Sequence, residues 1–205
     1  MSNVEALQDI REEVAVCTRC ELYRGAENAV PGEGNPEARI LLIGEAPGFH
    51  EDTSGKPFVG NSGKFLTELL ARAGLTREDV FITNVVKHRP PGNRDPLPDE
   101  IMACAHFLDR QISIIDPDVI VTLGRFSLAR YFPGERISKI HGQPREIDGR
   151  FVVPMYHPAA ALHNGSLRPE IEADFAKLPR LLAEFDKARE ANETKRRKST
   201  QQSLF

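Results

Sequence analysis

Two apolar rhythms alternate along the chain. Runs of branched residues, too short for buried helices, occupy 40–43 (ILLI), 80–86 (VFITNVV), 118–123 (DVIVTL) and 151–154 (FVVP). Each reads as a buried strand. Around them, apolar residues recur three and four apart. Val4, Leu7, Ile10 and Val14 mark a first helix. Phe65, Leu66, Leu69 and Leu70 mark a second, capped by Asn61 and Ser62 and closed at Gly74. Ile101, Ala105, Leu108, Ile112 and Ile115 line a third between Asp99 and Ile115, and a short fourth runs from Phe126 to Tyr131. A last helix spans Pro169 to Ala191, with Ile171, Phe175, Leu178, Leu182 and Phe185 inward. This succession predicts an α/β fold: a three-layer α/β/α sandwich around a central, mostly parallel four-stranded sheet.

The segment after the first strand organises the chemistry. It breaks at Gly44 into a Gly/Pro loop carrying Glu45, His50, Glu51, Asp52 and Phe58, the last reading as exposed. A strand that ends in a polar loop and feeds a helix is where open α/β sheets build ligand sites. The loop has neither GxGxxG nor GxxxxGK[ST], which argues against a dinucleotide or Walker-type phosphate site. Asn84 lies near the end of the second strand, as a satisfied buried amide or a ligand contact. His157 follows the fourth strand, on the same edge as Glu45 and Asn84 if the sheet is parallel.

Composition narrows the classes. With 205 residues there is room for one sizeable core. Residues 1–191 read as a single domain with an N-terminal metal-binding segment. Residues 192–205 (NETKRRKSTQQSLF) lack an apolar stripe and read as a disordered basic tail. No apolar run approaches membrane-spanning length, and the N-terminus lacks a basic start followed by an apolar stretch, so a cytoplasmic protein is expected. The net charge of −3 does not advertise nucleic-acid binding. Contact with a polyanion must come from local patches, and residues 87–94 (KHRPPGNR) form one, stiffened by two prolines. Cys17 and Cys20 form a CxxC that leaves a helix, which favours a metal or cluster over a redox pair. Cys104, taken alone, reads as a small core residue.

Taken together, GEAPG (44–48), ED (51–52), PFVG (57–60), ITNVVKHRPPGNRDPLPDE (82–100), VIVTLG (119–124) and YHPAAALHN (156–164) resemble the iron–sulfur uracil-DNA glycosylases of the family-4 type. The resemblance implies a 4Fe–4S cluster on Cys17, Cys20 and Cys104, with His88 where the family has its remaining cysteine. Zinc held by the same residues is the chemical alternative. Histidine at this position is shared with cross-linking relatives of type X. Their inserted basic loop, KRRIH, is absent between Arg89 and Asp99, so turnover is implied and covalent or non-catalytic binding is the alternative.

The implied reaction is removal of uracil from DNA, leaving an abasic site. The implied pocket has Phe58 stacking on the base, Asn84 reading its Watson–Crick edge, Glu51 near C5, Ala46 alongside and His157 donating to O2. Glu45 or Asn93 would orient the attacking water, since position 46 carries no acid. DNA contacts fall to Gly48, Ser62, Lys87 and Arg89, with Leu162 as wedge beside His163. Gln201, Leu204 and Phe205 resemble the bacterial sliding-clamp peptide, and a monomer is expected.

Overall fold

The structure, a computed structural model, describes the backbone of residues 1–202 and the side chains of residues 1–191. Its strands are β1 (Glu33–Gly34), β2 (Ile40–Gly44), β3 (Val80–Asn84), β4 (Val119–Leu123), β5 (Arg145–Ile147) and β6 (Arg150–Met155). Its helices are α1 (Asn3–Ala15), α2 (Phe49–Ser54), α3 (Asn61–Arg72), α4 (Pro98–Ile115), α5 (Arg125–Tyr131), α6 (Ile137–Ile140), α7 (Ala159–His163), α8 (Arg168–Phe175) and α9 (Leu178–Gln202).

One sheet runs in the order β1-β3-β2-β4-β6-β5. The four strands read from apolar runs are its parallel centre, with Ile40 opposite Val80 and Val119, and Val119 opposite Phe151. The sheet is nevertheless six-stranded, because β1 and β5 add antiparallel edges. These two are short and largely exposed, so they carry no apolar run to find. Strand alternation then builds two cores. Leu41 and Ile43 join Ile10 and Val14 of α1, and Phe107 and Leu108 of α4. Ile40 and Leu42 join Leu66, Leu69 and Leu70 of α3, and Ile171 and Phe175 of α8.

Three helical readings change. The loop after β2 contains α2, a turn too short to show periodicity. On α4 the buried residues are Glu100, Cys104, Phe107, Leu108, Gln111 and Ile115, while Ile101, Ala105 and Ile112 are half-buried. The inward face is therefore turned toward α1 and a buried polar group. The last helix is two helices. Pro179 lacks the N–H that would continue α8, and it falls in the first turn of α9, where that N–H is not needed. The backbone of α9 then stays helical past Ala191 to Gln202, so the tail expected to be disordered from Asn192 is helical as far as the description extends. Leu204 and Phe205 of the proposed clamp peptide lie outside the described residues. Among the described residues no helix is long and apolar enough to cross a membrane.

Lys87 requires a correction. It is 0% exposed, so it cannot be the DNA contact expected from its place in the basic loop. Its ammonium donates to Thr83 Oγ1 at 2.6 Å, Gln111 Oε1 at 2.7 Å and the Asn84 carbonyl at 2.8 Å. Burial pulls its pKa down to about 8. All three ammonium donors thus have acceptors, and one of these fixes the backbone that carries Asn84. Replacing Lys87 by Met leaves those acceptors short of a donor. Chemical denaturation should show a loss of about 1–3 kcal/mol in unfolding free energy; an unchanged midpoint would contradict the bracing role.

Candidate functional site

The loops leaving β2 and β4 diverge, because the chain runs from β2 to β3 on one side and from β4 to β6 on the other. Such a divergence leaves a crevice at the carboxyl ends of the strands. A cavity of about 450 Å³ occupies it. Glu45, Ala46, Pro47, Gly48 and Glu51 enter it from the loop after β2, and Asn84 from the end of β3. Asn93 and Arg94 follow from the basic loop, and His157 and His163 from beyond β6. Parallel strands therefore bring together residues far apart in sequence.

Phe58 forms the pocket's aromatic wall. It is 5% exposed, so the expectation of an exposed loop Phe is corrected. Its backbone has φ +52°, a left-handed conformation that a bulky residue adopts only when its surroundings hold it there. Those surroundings are specific. A Cβ at Gly63 would stand 1.9 Å from the Phe58 carbonyl oxygen. The Arg77 guanidinium donates to that same oxygen at 3.1 Å and to the Pro57 carbonyl at 2.8 Å. Arg77 carries no motif and was missed from sequence: its partners are backbone carbonyls, which sequence does not display.

Beside the ring, a Cβ at Gly44 would come within 2.3 Å of Asn84 Oδ1 and 2.7 Å of two Phe58 ring atoms. Glycine there lets the amide and the ring meet at the end of β2. Asn84 is 1% exposed, and its Oδ1 has no hydrogen-bond partner among the described residues. A buried orphan acceptor costs about 1–3 kcal/mol, which makes it a position that awaits a donor.

His157 stacks on Phe58 with ring centroids 5.4 Å apart and planes 26° from parallel. That spacing is too short for a third ring between them. Burial lowers the imidazole pKa to about 4, against the opposing pull of Glu51. The ring is therefore neutral at physiological pH. Its Nδ1 accepts the Ala159 N–H at 3.2 Å, which places the single ring proton on Nε2.

The carboxylates divide the work. Glu51 Oε1 accepts from Val59 N at 2.8 Å and Gly60 N at 2.9 Å, and Oε2 accepts from Gly48 N at 3.1 Å. Glu51 thus shapes the loop, and both its oxygens are engaged by backbone amides. For the same reason the Gly48 amide is not free to bind phosphate, which corrects that expectation. Ser62, in the first turn of α3, has a backbone N–H with no acceptor among the described residues. Glu45 is half-buried, and no hydrogen bond reaches its carboxylate among the described residues. Burial raises its pKa, Asp95 adds to the rise, and Arg125 opposes it.

Asn93 lies at the rim with its Oδ1 held by Arg89 Nε at 2.7 Å. Arg94, also at the rim, grips buried Glu100 through two bonds at 2.6 and 2.9 Å. Leu162 is 52% exposed on α7.

Cys17, Cys20 and Cys104 are free thiols brought to one apolar cluster between the end of α1 and α4. Burial pushes the Cys20 and Cys104 thiols up, and the neighbouring thiols push them further. The Leu22 and Lys87 backbone amides act in the opposite direction on these two thiols. His88 is buried, and burial lowers its imidazole pKa. The donor types suit a thiolate-held metal group. Among the described residues, however, no three His, Cys, Asp or Glu side chains converge at metal-holding spacing.

Comparison with known proteins places this geometry. A family model described as the uracil DNA glycosylase superfamily matches residues 31–182. The chain is 51% identical over 191 residues to the type-4 uracil-DNA glycosylase of Sulfurisphaera tokodaii, covering 87% of this chain and 86% of that one. It is 48% identical over 187 residues to the type-4 enzyme of Archaeoglobus fulgidus, covering 87% and 94%. It is 48% identical over 165 residues to that of Thermotoga maritima, covering 79% and 86%.

Two measurements check the pocket. Nitrogen NMR of His157 should show a neutral ring protonated at Nε2 and titrating at about 4. Because folding lowers this pKa from 6.5, the unfolded chain binds the proton first. The histidine's stabilising contribution is therefore complete above about pH 6.5 and is lost as pH falls through about 4. For the wall, Gly adopts positive φ without strain, so Arg77→Ala should cost less stability in a Phe58→Gly background than in the native one. A coupling of about 0.5 kcal/mol or more in a double-mutant cycle is expected.

Proposed function

The chain belongs to the uracil DNA glycosylase superfamily, and on that premise we propose that it hydrolyses the N-glycosidic bond of deoxyuridine in DNA, releasing uracil and leaving an abasic site. One observation carries the reading: the orphan Asn84 Oδ1 and the Nε2–H of a neutral His157 share a pocket with an aromatic face.

The target nucleotide leaves the stack and its base settles on Phe58, a contact contributing about 1–3 kcal/mol. Asn84 Oδ1 accepts from uracil N3–H. Cytosine has no proton there and would leave the amide oxygen unpaired, at about 1–3 kcal/mol. As the glycosidic bond stretches, negative charge gathers on the base and positive charge on the sugar. His157 Nε2–H donates to O2 as that charge develops, a contribution on the order of 3 kcal/mol.

Water then attacks the sugar. Glu45 is the carboxylate we assign to orient it and to offset the sugar's charge, since the Asn93 amide oxygen is already engaged by Arg89. Ala46 adds no acid, which suits a dissociative path carried by electrostatics. The Ser62 amide, Arg89 and His163 would hold DNA near the pocket, with Leu162 filling the space left by the extruded base. Glu51 supports the loop by its backbone bonds and reaches the base only as part of the wall.

We further infer that Cys17, Cys20, Cys104 and His88 hold an iron–sulfur cluster, with zinc as the alternative. That group would act by tying the N-terminal segment to the basic loop and α4. His88 is buried and lies outside the cavity lining, which favours a ligand over a nucleophile that captures DNA. Clamp docking through Gln201, Leu204 and Phe205, and a monomeric state, remain part of this proposal.

The test is an end-labelled oligonucleotide with one uracil. A cut that appears only after hot alkali marks turnover; a slow band that survives denaturant would mark covalent capture instead. His157→Ala should lower kcat about 100-fold or more. The pH–rate profile should fall on its acid side through a group above the ordinary glutamate value, and Glu45→Gln should remove that limb. Iron analysis and visible absorbance of purified protein separate cluster from zinc, and Cys17→Ala should lower both the metal content and the melting temperature.

A further inference from the structure

We propose that Phe49 and Arg89 form a second base-stacking platform at the pocket mouth, which takes the nucleobase next to the extruded uridine. This rests on the glycosylase reading. Phe49 is 56% exposed at the first position of α2. A lone exposed Phe is ordinary; its position makes this one informative. It directly follows Gly48, and Glu51 lies two residues further on; both line the cavity. The Arg89 guanidinium lies 5.2 Å from its ring centroid, and the same guanidinium binds Asn93, another cavity residue. Buried Asp52 stands 3.9 Å from Arg89 and helps hold it against the ring. The ring is thus anchored to the rim from two sides.

The occupant follows from this placement. A nucleotide drawn into the cavity brings its neighbours to the mouth, each with one face newly unstacked. Leu162, exposed on α7 next to cavity-lining His163, is a single aliphatic chain. Phe49 offers a flat apolar surface and Arg89 a cation for the flanking phosphate. An aromatic face accepts any base, so the platform adds affinity for the strand without adding sequence preference.

The test uses anisotropy binding to oligonucleotides carrying a non-cleavable 2′-fluoro-deoxyuridine, with either a normal neighbour or an abasic tetrahydrofuran on its 5′ or 3′ side. Wild type should bind one of the abasic-flanked strands about fivefold or more weakly, the low end of one base–aromatic stack. Phe49→Ala should lose a similar factor on the normal strand and nothing further on that abasic-flanked strand. Phe49→Trp should restore the discrimination. Equal losses for Phe49→Ala on all strands, or no loss on any, overturn the platform. A wild type that discriminates between these strands, yet releases no uracil from a cleavable one, overturns the glycosylase reading and leaves the platform standing.

Discussion

The pocket depends on one carboxylate whose two oxygens are both engaged by backbone amides. Glu51 gathers the amides of Gly48, Val59 and Gly60, and so closes the loop between β2 and α3 around itself. A carboxylate that accepts three backbone N–H bonds in a poorly solvated place makes charge-assisted contacts, stronger than neutral ones. With the loop closed, Phe58 is forced into left-handed backbone against Gly63. Arg77 then locks its carbonyl from the far side. The aromatic wall is the product of that closure, not of local preference at Phe58.

Around this frame the site separates rigid groups from available ones. Asn84 is fixed through its own backbone by Lys87, while its side-chain oxygen has no hydrogen-bond partner among the described residues. His157 is held by one ring nitrogen and offers the other. Glu45 sits half-buried with no hydrogen bond to its carboxylate among the described residues, in the field of Arg125 and Asp95. Asn84 and His157 are thus oriented by contacts that leave one polar atom of each available, and such preorganisation is what makes electrostatic assistance effective. The buried cation under the pocket does the opposite of what its sequence neighbourhood suggests. Lys87 is spent on structure, and Arg89 keeps its guanidinium at the pocket rim against Phe49 and Asn93.

Sequence alone determined a good deal. Four apolar runs announced the parallel centre, because strands buried on both faces need continuous apolar stretches. Glu45, Asn84 and His157 were legible as one edge, because parallel strands place their carboxyl ends together; Phe58, a loop residue read as exposed, was not. Only the tertiary structure decided the rest. The edge strands were too short and polar to register. Pro179 split the last helix at a point where the apolar stripe continues through it. Lys87 and Arg89, two residues apart in one basic loop, were separated into interior and surface by the reach of Thr83 and Gln111. Arg77 emerged as a support because carbonyl oxygens are identical in every sequence, and only folding shows which of them need a donor.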